Sequence, residues 1–399
     1  MVFFALESSF NLDSAYQYVL RSTASFNQTS DRDKERLQRF PLDSSILVDL
    51  RQEIDSAAFE RAKSINTESA YISFIHEFSF AREKESAIEL RNEVAYIDAL
   101  KVNTYESFLA YVQRYPQSLR TAEAEQRYER LLYEAKTKDG KLTSLEAFLK
   151  EYPQTTYRPA VEKRIFEIST SSGDEKDFIN FAKKYSTSEY VDAARDIVFH
   201  IARQNDTPFP SSLLNDSLRN IINLEKGYWI PIFRGGFYGF INDQGHDIIT
   251  PKFKNINEDY LCGEISDDVL ETSAGLISRS GEVIFKGAIS KAEELGYGFV
   301  LVKTKNCTHL IHKSGRKFNN DCIADALIIA GRFLAVKTGL NWGLYAFNGN
   351  EILAPSYLSI SAYNDLIILS RTEKKSLFTI NEIIKVADGG KLIESMVFD

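Results

Sequence analysis

Glycine is confined almost wholly to one end of this chain. Of 20 glycines, two, Gly140 and Gly173, precede residue 227, and the other 18 follow it. Glycine weakens helix interiors and is wanted where a backbone must turn tightly, so the asymmetry calls for helices first and for strands with tight turns afterwards. The expected fold class is a multidomain α plus β chain. Residues 1–203 read as a helical repeat domain, 204–226 as a linker with a short helix, and 227–399 as a β-domain. A length of 399 residues suits two or three domains at roughly 100–200 residues each. With 44% hydrophobic and 26% charged residues, disorder and collagen-like fibres are excluded.

The glycine-poor part contains a repeat. Tyr71–Phe78, Phe108–Tyr115, Leu145–Tyr152 and Phe178–Tyr185 align, each with apolar or small residues at i, i+3, i+4 and i+7, one stripe of a helix. Their final aromatics are spaced 37, 37 and 33 residues apart. A second column, Ala87, Ala124, Val161 and Ala194, keeps that register nine residues further on. Small residues there let a second helix pack closely on the first. Pro116 and Pro153 follow two of the aromatics and would end the first helix. Each unit is thus expected to be a helical hairpin. Upstream, Leu12–Ser25 and Ser44–Lys63 also read as amphipathic helices.

The phrase Phe148–Thr155 followed by Val161, and its cousin at 111–118, resembles the degenerate tetratricopeptide-like repeats of bacterial outer-membrane assembly lipoproteins. The likeness spans roughly residues 66–203. It implies an α-solenoid whose concave face docks a peptide or partner helix.

From Gly227 onward a different repeat takes over. Gly245, Gly281, Gly315 and Gly349 recur at spacings of 36, 34 and 34, each after a polar or mixed pair and flanked by apolar residues. That pattern predicts a hairpin turn with glycine at positive φ. Upstream of each turn lies a second column: Tyr238-Gly239, Ala274-Gly275, Thr308-His309 and Trp342-Gly343, with a degenerate fifth copy at Lys375-Ser376. The copies at Tyr238–Phe253 and Trp342–Tyr357 resemble WG repeats of bacterial proteins, especially of the Bacteroidota. The second and third copies lack the Pro-x-aromatic step, and the third has His309 where glycine belongs. Five such units imply a β-propeller or an open arc of blades. Between the two repeats, Gln204–Ser212 is proline-rich and polar, and Leu213–Leu224 reads as a short helix.

A net charge of −8 argues against a large cationic face, so no nucleic-acid partner is expected. No stretch approaches the roughly 18–20 apolar residues of a membrane span, and the richest, Ala324–Val336, is broken by Asp325 and Arg332. Met1–Leu6 is apolar but lacks a basic flank and stops at Glu7, at most the remnant of a signal peptide. Three cysteines, Cys262, Cys307 and Cys322, are too few for a disulfide scaffold. A Cys307–Cys322 bond would require an oxidising compartment.

Cys307, His309 and His312, with Cys322 beyond, have the residue types of a metal site. Strand alternation places His312 on the face opposite Cys307 and His309, which favours ordinary strand residues. Neither a nucleophile elbow nor a phosphate loop occurs. Gly296-Tyr-Gly298 reads as a turn entering a strand at Phe299–Lys303. Asp267-Asp268 and Glu293-Glu294 read as solvated acids in polar loops, and Lys34–Arg36 and Asp174-Glu175 as solvated faces. Tyr115, Tyr152 and Tyr185, like Tyr238 and Trp342, read as core, whereas Tyr228 and Trp229 are candidates to pack between domains. No catalytic, cofactor-binding or metal-ligating residue is assigned, and no cofactor is expected.

Two repeat arrays without a catalytic constellation imply a non-enzymatic protein–protein interaction scaffold. By resemblance its setting is a multi-subunit assembly of the Gram-negative cell envelope, periplasmic or outer-membrane associated. The alternative is a β-domain binding glycan or peptidoglycan, which needs Trp229, Trp342 and Tyr238 exposed and clustered. A hydrolase would need two acids to converge about 5–10 Å apart in a cleft.

Overall fold

The computed structural model describes residues 21, 24–25, 28–37, 44–225, 227–261, 265, 268–318, 322–387 and 397–398. Met1–Leu6, most of Leu12–Ser25, Cys262 and Asp267 lie outside them. Helices come first: α1 (Asp31–Leu37), α2 (Ser44–Ile65), α3 (Glu68–Glu77), α4 (Lys84–Val102), α5 (Tyr105–Arg114), α6 (Thr121–Lys136), α7 (Leu142–Glu151), α8 (Arg158–Ser169), α9 (Glu175–Lys184), α10 (Val191–Gln204) and α11 (Asp216–Glu225). Strands begin at Ile230, so the α plus β layout holds. By internal contacts the chain divides into two compact units, residues 1–139 with 155–157, and residues 140–154 with 158–399. This division does not follow element type: the second unit holds α7–α11 together with every strand.

The four aligned stripes are the first helices of four helix pairs, α3/α4, α5/α6, α7/α8 and α9/α10. Each final aromatic, Phe78, Tyr115, Tyr152 and Tyr185, caps its helix, its N–H donating to the carbonyl four residues back. At the other end Thr67, Thr104 and Asp174 accept backbone N–H groups that a helix start leaves without partners. Ala87, Ala124, Val161 and Ala194 are all fully buried, as close approach of the second helix requires. Within the first unit, Tyr71, Phe74 and Phe78 pack with Ile54, Phe59 and Ala87, and Phe108, Tyr111 and Tyr115 with Tyr96 and Ala124.

In the second unit the strands form five antiparallel sheets in sequence order. Sheet one is β1 (Ile230–Arg234), β2 (Phe237–Ile241) and β3 (Asp247–Phe253). Sheet two is β4 (Val269–Thr272), β5 (Gly275–Ser278) and β6 (Val283–Lys286). Sheet three is β7 (Lys291–Gly296), β8 (Phe299–Lys303) and β9 (Thr308–His312). Sheet four is β10 (Asp325–Ile329), β11 (Phe333–Thr338), β12 (Asn341–Ala346) and β13 (Glu351–Tyr357). Sheet five is β14 (Ser359–Tyr363), β15 (Leu366–Ser370), β16 (Lys375–Thr379) and β17 (Val397–Phe398), with helix α12 (Ile380–Ala387) after β16.

The two glycine columns do different physical work. Gly245, Gly281, Gly315 and Gly349 have φ of 82°, 81°, 83° and 93°, the left-handed region where a side chain is strained. Each donates its N–H to the carbonyl three residues back, closing a tight turn. Gly239 and Gly343 instead allow close approach. A Cβ there would lie 2.5 Å from the Ile249 carbonyl oxygen and 2.8 Å from that of Leu353. Opposite them β3 and β13 shift register, and Pro251 and Pro355 sit at the shift. A proline has no ladder N–H to lose, which suits such a bulge. In the third copy, with His309 for glycine, the described residues after β9 pair with it only through isolated bridges, Ile311 with Lys317 and Thr308 with Ile323.

Successive sheets bury their faces on one another. Phe240 of sheet one clusters with Ile277 of sheet two, Leu276 of sheet two with Ile311 of sheet three, and Leu344 of sheet four with Phe378 of sheet five. Between sheets three and four, Phe299 meets Phe347 and Phe318 meets Tyr345.

Candidate functional site

The first unit carries three grooves in the register of the helical repeat. The largest, about 950 Å³, lies between α4 and the loop into α6 and is lined by Glu89, Arg91, Arg114, Leu119 and Arg120 among others. One of about 710 Å³ lies between α6 and Thr156-Tyr157. A third, about 480 Å³, lies between α2 and the loop holding Phe80 and Arg82. Arg82, Leu119 and Thr156 rim the three grooves at intervals of 37 residues. Phe80 and Leu119 are 81% and 92% exposed, unusual for large apolar side chains.

A column of polar bonds that the sequence reading missed sets the groove walls. Ser56 donates to Glu83, Arg120 grips Glu93 with two nitrogens at 2.8 and 2.9 Å, and Thr156 donates to Glu129. In the second unit Ser188 donates to Glu162 in the same way. Each joins one repeat's second helix to the entry of the next. The signal was present as Glu93, Glu129 and Glu162, spaced nearly like the repeat, but exposed acids on helices are too common to single out. Tyr115 and Tyr185, read as core, also donate their hydroxyls to Glu68 and Glu146.

In the second unit, α8–α10 lie against one edge of sheets three and four, formed by glycine turns. Asn348 donates to the Glu167 carbonyl and to Thr170, Arg316 donates to the Ala193 carbonyl, and the Gln204 amide oxygen accepts from the Tyr297 N–H. At this junction the His200 and His312 rings meet edge to face, 4.9 Å apart. Gly298 fits between them: a Cβ there would lie 2.6 Å from both rings. Burial drives His200 down to about 3 and His312 well below its ordinary range, so both are neutral.

Beside them Lys313 bonds Asp268 at 2.5 Å and Glu294 at 2.7 Å, and Arg203 reaches Asp268 at 3.2 Å. Burial would raise the Asp268 carboxyl, but the charges of Lys313 and Arg203 outweigh it and hold it below the usual range. Burial pushes the neighbouring Asp196 up to about 6, against the pull of Arg316.

These contacts correct the sequence expectation for the acid pairs. Asp268 is an ion-paired, largely buried group, and Glu293 and Glu294 lie in strand β7 and not in a loop. Distant chain segments supply the partners, which no local pattern displays. Two carboxylates, Asp268 and Glu294, do converge, with the Lys313 ammonium bonded to both.

Cys307 and Cys322 are joined in a disulfide with Cα atoms 5.2 Å apart. His309 packs on Phe285, and His312 turns to Phe299 and His200 on the opposite face, as alternation required. Among the described residues no group of three His, Cys, Asp or Glu could hold a metal ion, and no helix is long and apolar enough to cross a membrane. Trp229 is buried under Phe240 and Arg279, Tyr238 and Trp342 are half-buried against their sheet cores, and Tyr228 is exposed. Comparison with family models, with curated proteins and with solved structures finds no match.

Proposed function

We propose that this chain is a non-enzymatic scaffold that docks protein partners along the grooves of its helical repeats. In this reading the hairpins are tetratricopeptide-like solenoid units, and the five sheets are WG-repeat blades of a propeller-like array or open arc. The observation that carries it is the recurrence of an open groove at the 37-residue register, rimmed by exposed Phe80 and Leu119. A surface repeated with the fold offers an extended partner several equivalent contacts.

The setting that fits is a cell-envelope assembly, periplasmic or at the outer membrane, and the Cys307–Cys322 bond supports an oxidising compartment. The glycan-binding alternative loses its footing, because Trp229, Tyr238 and Trp342 form no exposed cluster.

Affinity purification from the native host, comparing the wild-type chain with Phe80→Glu and Leu119→Glu, tests the docking surface. The expected result is a stoichiometric protein partner that both substitutions release while the thermal melt is unchanged. A partner retained by both variants, or none recovered with the wild type, would overturn the reading.

A further inference from the structure

The helical grooves share a register but not a charge. In the groove between α2 and the loop holding Phe80, Asp55 lies 37 residues before Asn92 of the largest groove. Asn92 is neutral, and its amide oxygen accepts from Arg91 at 2.8 and 3.1 Å. Beside it Glu93 is held by Arg120. The acids of the Phe80 groove are answered less well. Asp55 is 4% exposed and lines that groove, yet among the described residues no group donates to its Oδ1. Arg51 approaches only its other oxygen, at 3.9 Å, with its guanidinium 5.6 Å from the centre of the Phe80 ring.

A buried carboxylate without donors is costly, so such a group is normally paired. Burial raises the Asp55 carboxyl above its ordinary value; the charge of Arg51 pulls it down, and that of Glu83, on the same groove wall, pushes it up again. With Asp49 and Glu53, the lining carries four acids against Arg51 and Arg82.

We propose that this groove takes a lysine or arginine side chain of the docked protein, its cation set against Asp55 and Glu83 and its aliphatic stem on Phe80. The inference rests on the docking reading above and supplies the chemistry of one contact. A basic side chain answers three features together: an acidic lining, a buried carboxylate oxygen without a donor, and an exposed phenyl ring. A bare metal ion does not fit, since among the described residues no group of three His, Cys, Asp or Glu could hold one.

The probes are capped Leu-Lys-Leu and Leu-Arg-Leu peptides, with capped Leu-norleucine-Leu as the uncharged control, titrated against the full chain by ligand-observed NMR. Both basic peptides are expected to bind the wild type more tightly than the control. Asp55→Asn, which keeps the shape and removes the charge, is expected to weaken them about tenfold or more, and Glu134→Gln on the α6 surface to leave them unchanged. Should Asp55→Asn melt early, Glu83→Gln at the half-buried groove wall gives the same readout. A control that binds as tightly as the basic peptides, equal losses in Asp55→Asn and Glu134→Gln, or no binding at all would overturn the proposal. Affinity purification separates this proposal from the docking reading. An Asp55→Asn chain that keeps a partner which Phe80→Glu releases overturns the basic contact and leaves docking standing. If the wild type recovers no partner, docking fails, while peptide binding that needs Asp55 still supports the groove.

Discussion

The two repeats of this chain solve one problem, placing copies of a unit side by side, with opposite kinds of residue. The helical repeat brings its elements together through side chains, an aromatic stripe and one small buried residue at Ala87, Ala124, Val161 and Ala194. The sheet repeat brings backbone against backbone at Gly239 and Gly343, where no side chain fits at all. A side-chain contact can shift by rotamer changes, whereas a backbone contact cannot. The sheet repeat should therefore tolerate substitution less.

The largest expected effect follows. Gly343→Ala sets a methyl against the Leu353 carbonyl and Pro355 and should cost about 3 kcal/mol or more, read by denaturant unfolding. Gly349→Ala, strained in φ but open in space, should cost only about 1–2 kcal/mol. Equal costs would erase the distinction between the two columns. Cys322→Ser, which opens a bond between positions 15 residues apart, should lower stability by about 3 kcal/mol. Thiol titration of the denatured native protein should then find one free group in the wild type, Cys262, and two in the variant.

On the helical side, Ala124→Leu overfills a fully buried site and should cost about 1–3 kcal/mol. Where helices meet sheet turns, acid should act through the histidines. The folded state holds His200 and His312 neutral while the unfolded chain takes up protons below about pH 6.5, so stability is full above that pH and falls as pH drops. His200 alone should remove about 2 kcal/mol by pH 5. Asp196, raised to about 6, opposes this by roughly 1 kcal/mol, since its unfavourable ionisation is relieved over the same range. Melting temperature should fall between pH 7 and pH 5, and His200→Gln should flatten that slope. The smallest effect is expected of Arg120→Ala, whose pair with Glu93 is exposed and screened by water, so the melting temperature should barely move.

The same contrast explains what could be read in advance. The four helical stripes, the small-residue column and the positive-φ turn glycines were legible because each position admits few residue types. Strand β8 fell at Phe299–Lys303 as expected, because Gly296 and Gly298 punctuate its start. The candidate grooves were legible only as a general concave face. Their walls depend on Glu93, Glu129 and Glu162, residue types that any exposed helix carries. The buried cluster of Asp268, Lys313, Glu294 and Arg203 was illegible for another reason: its members come from α10, the approach to β4, β7 and the turn after β9, joined only by the tertiary fold. Lys313 and Asn348 precede turn glycines, where local pattern gives no sign of the partners that bind them, Asp268 and the Glu167 carbonyl of α8.

The central claim is that the helical grooves are a repeated docking surface. Photo-crosslinking residues placed singly at positions 82, 119 and 156, with position 134 on the α6 surface as control, test it in the native host. The account predicts adducts of one partner at the three groove positions, mapping to successive segments of it, and none at 134. Equal labelling at all four positions, or no discrete adduct at any groove, would contradict it.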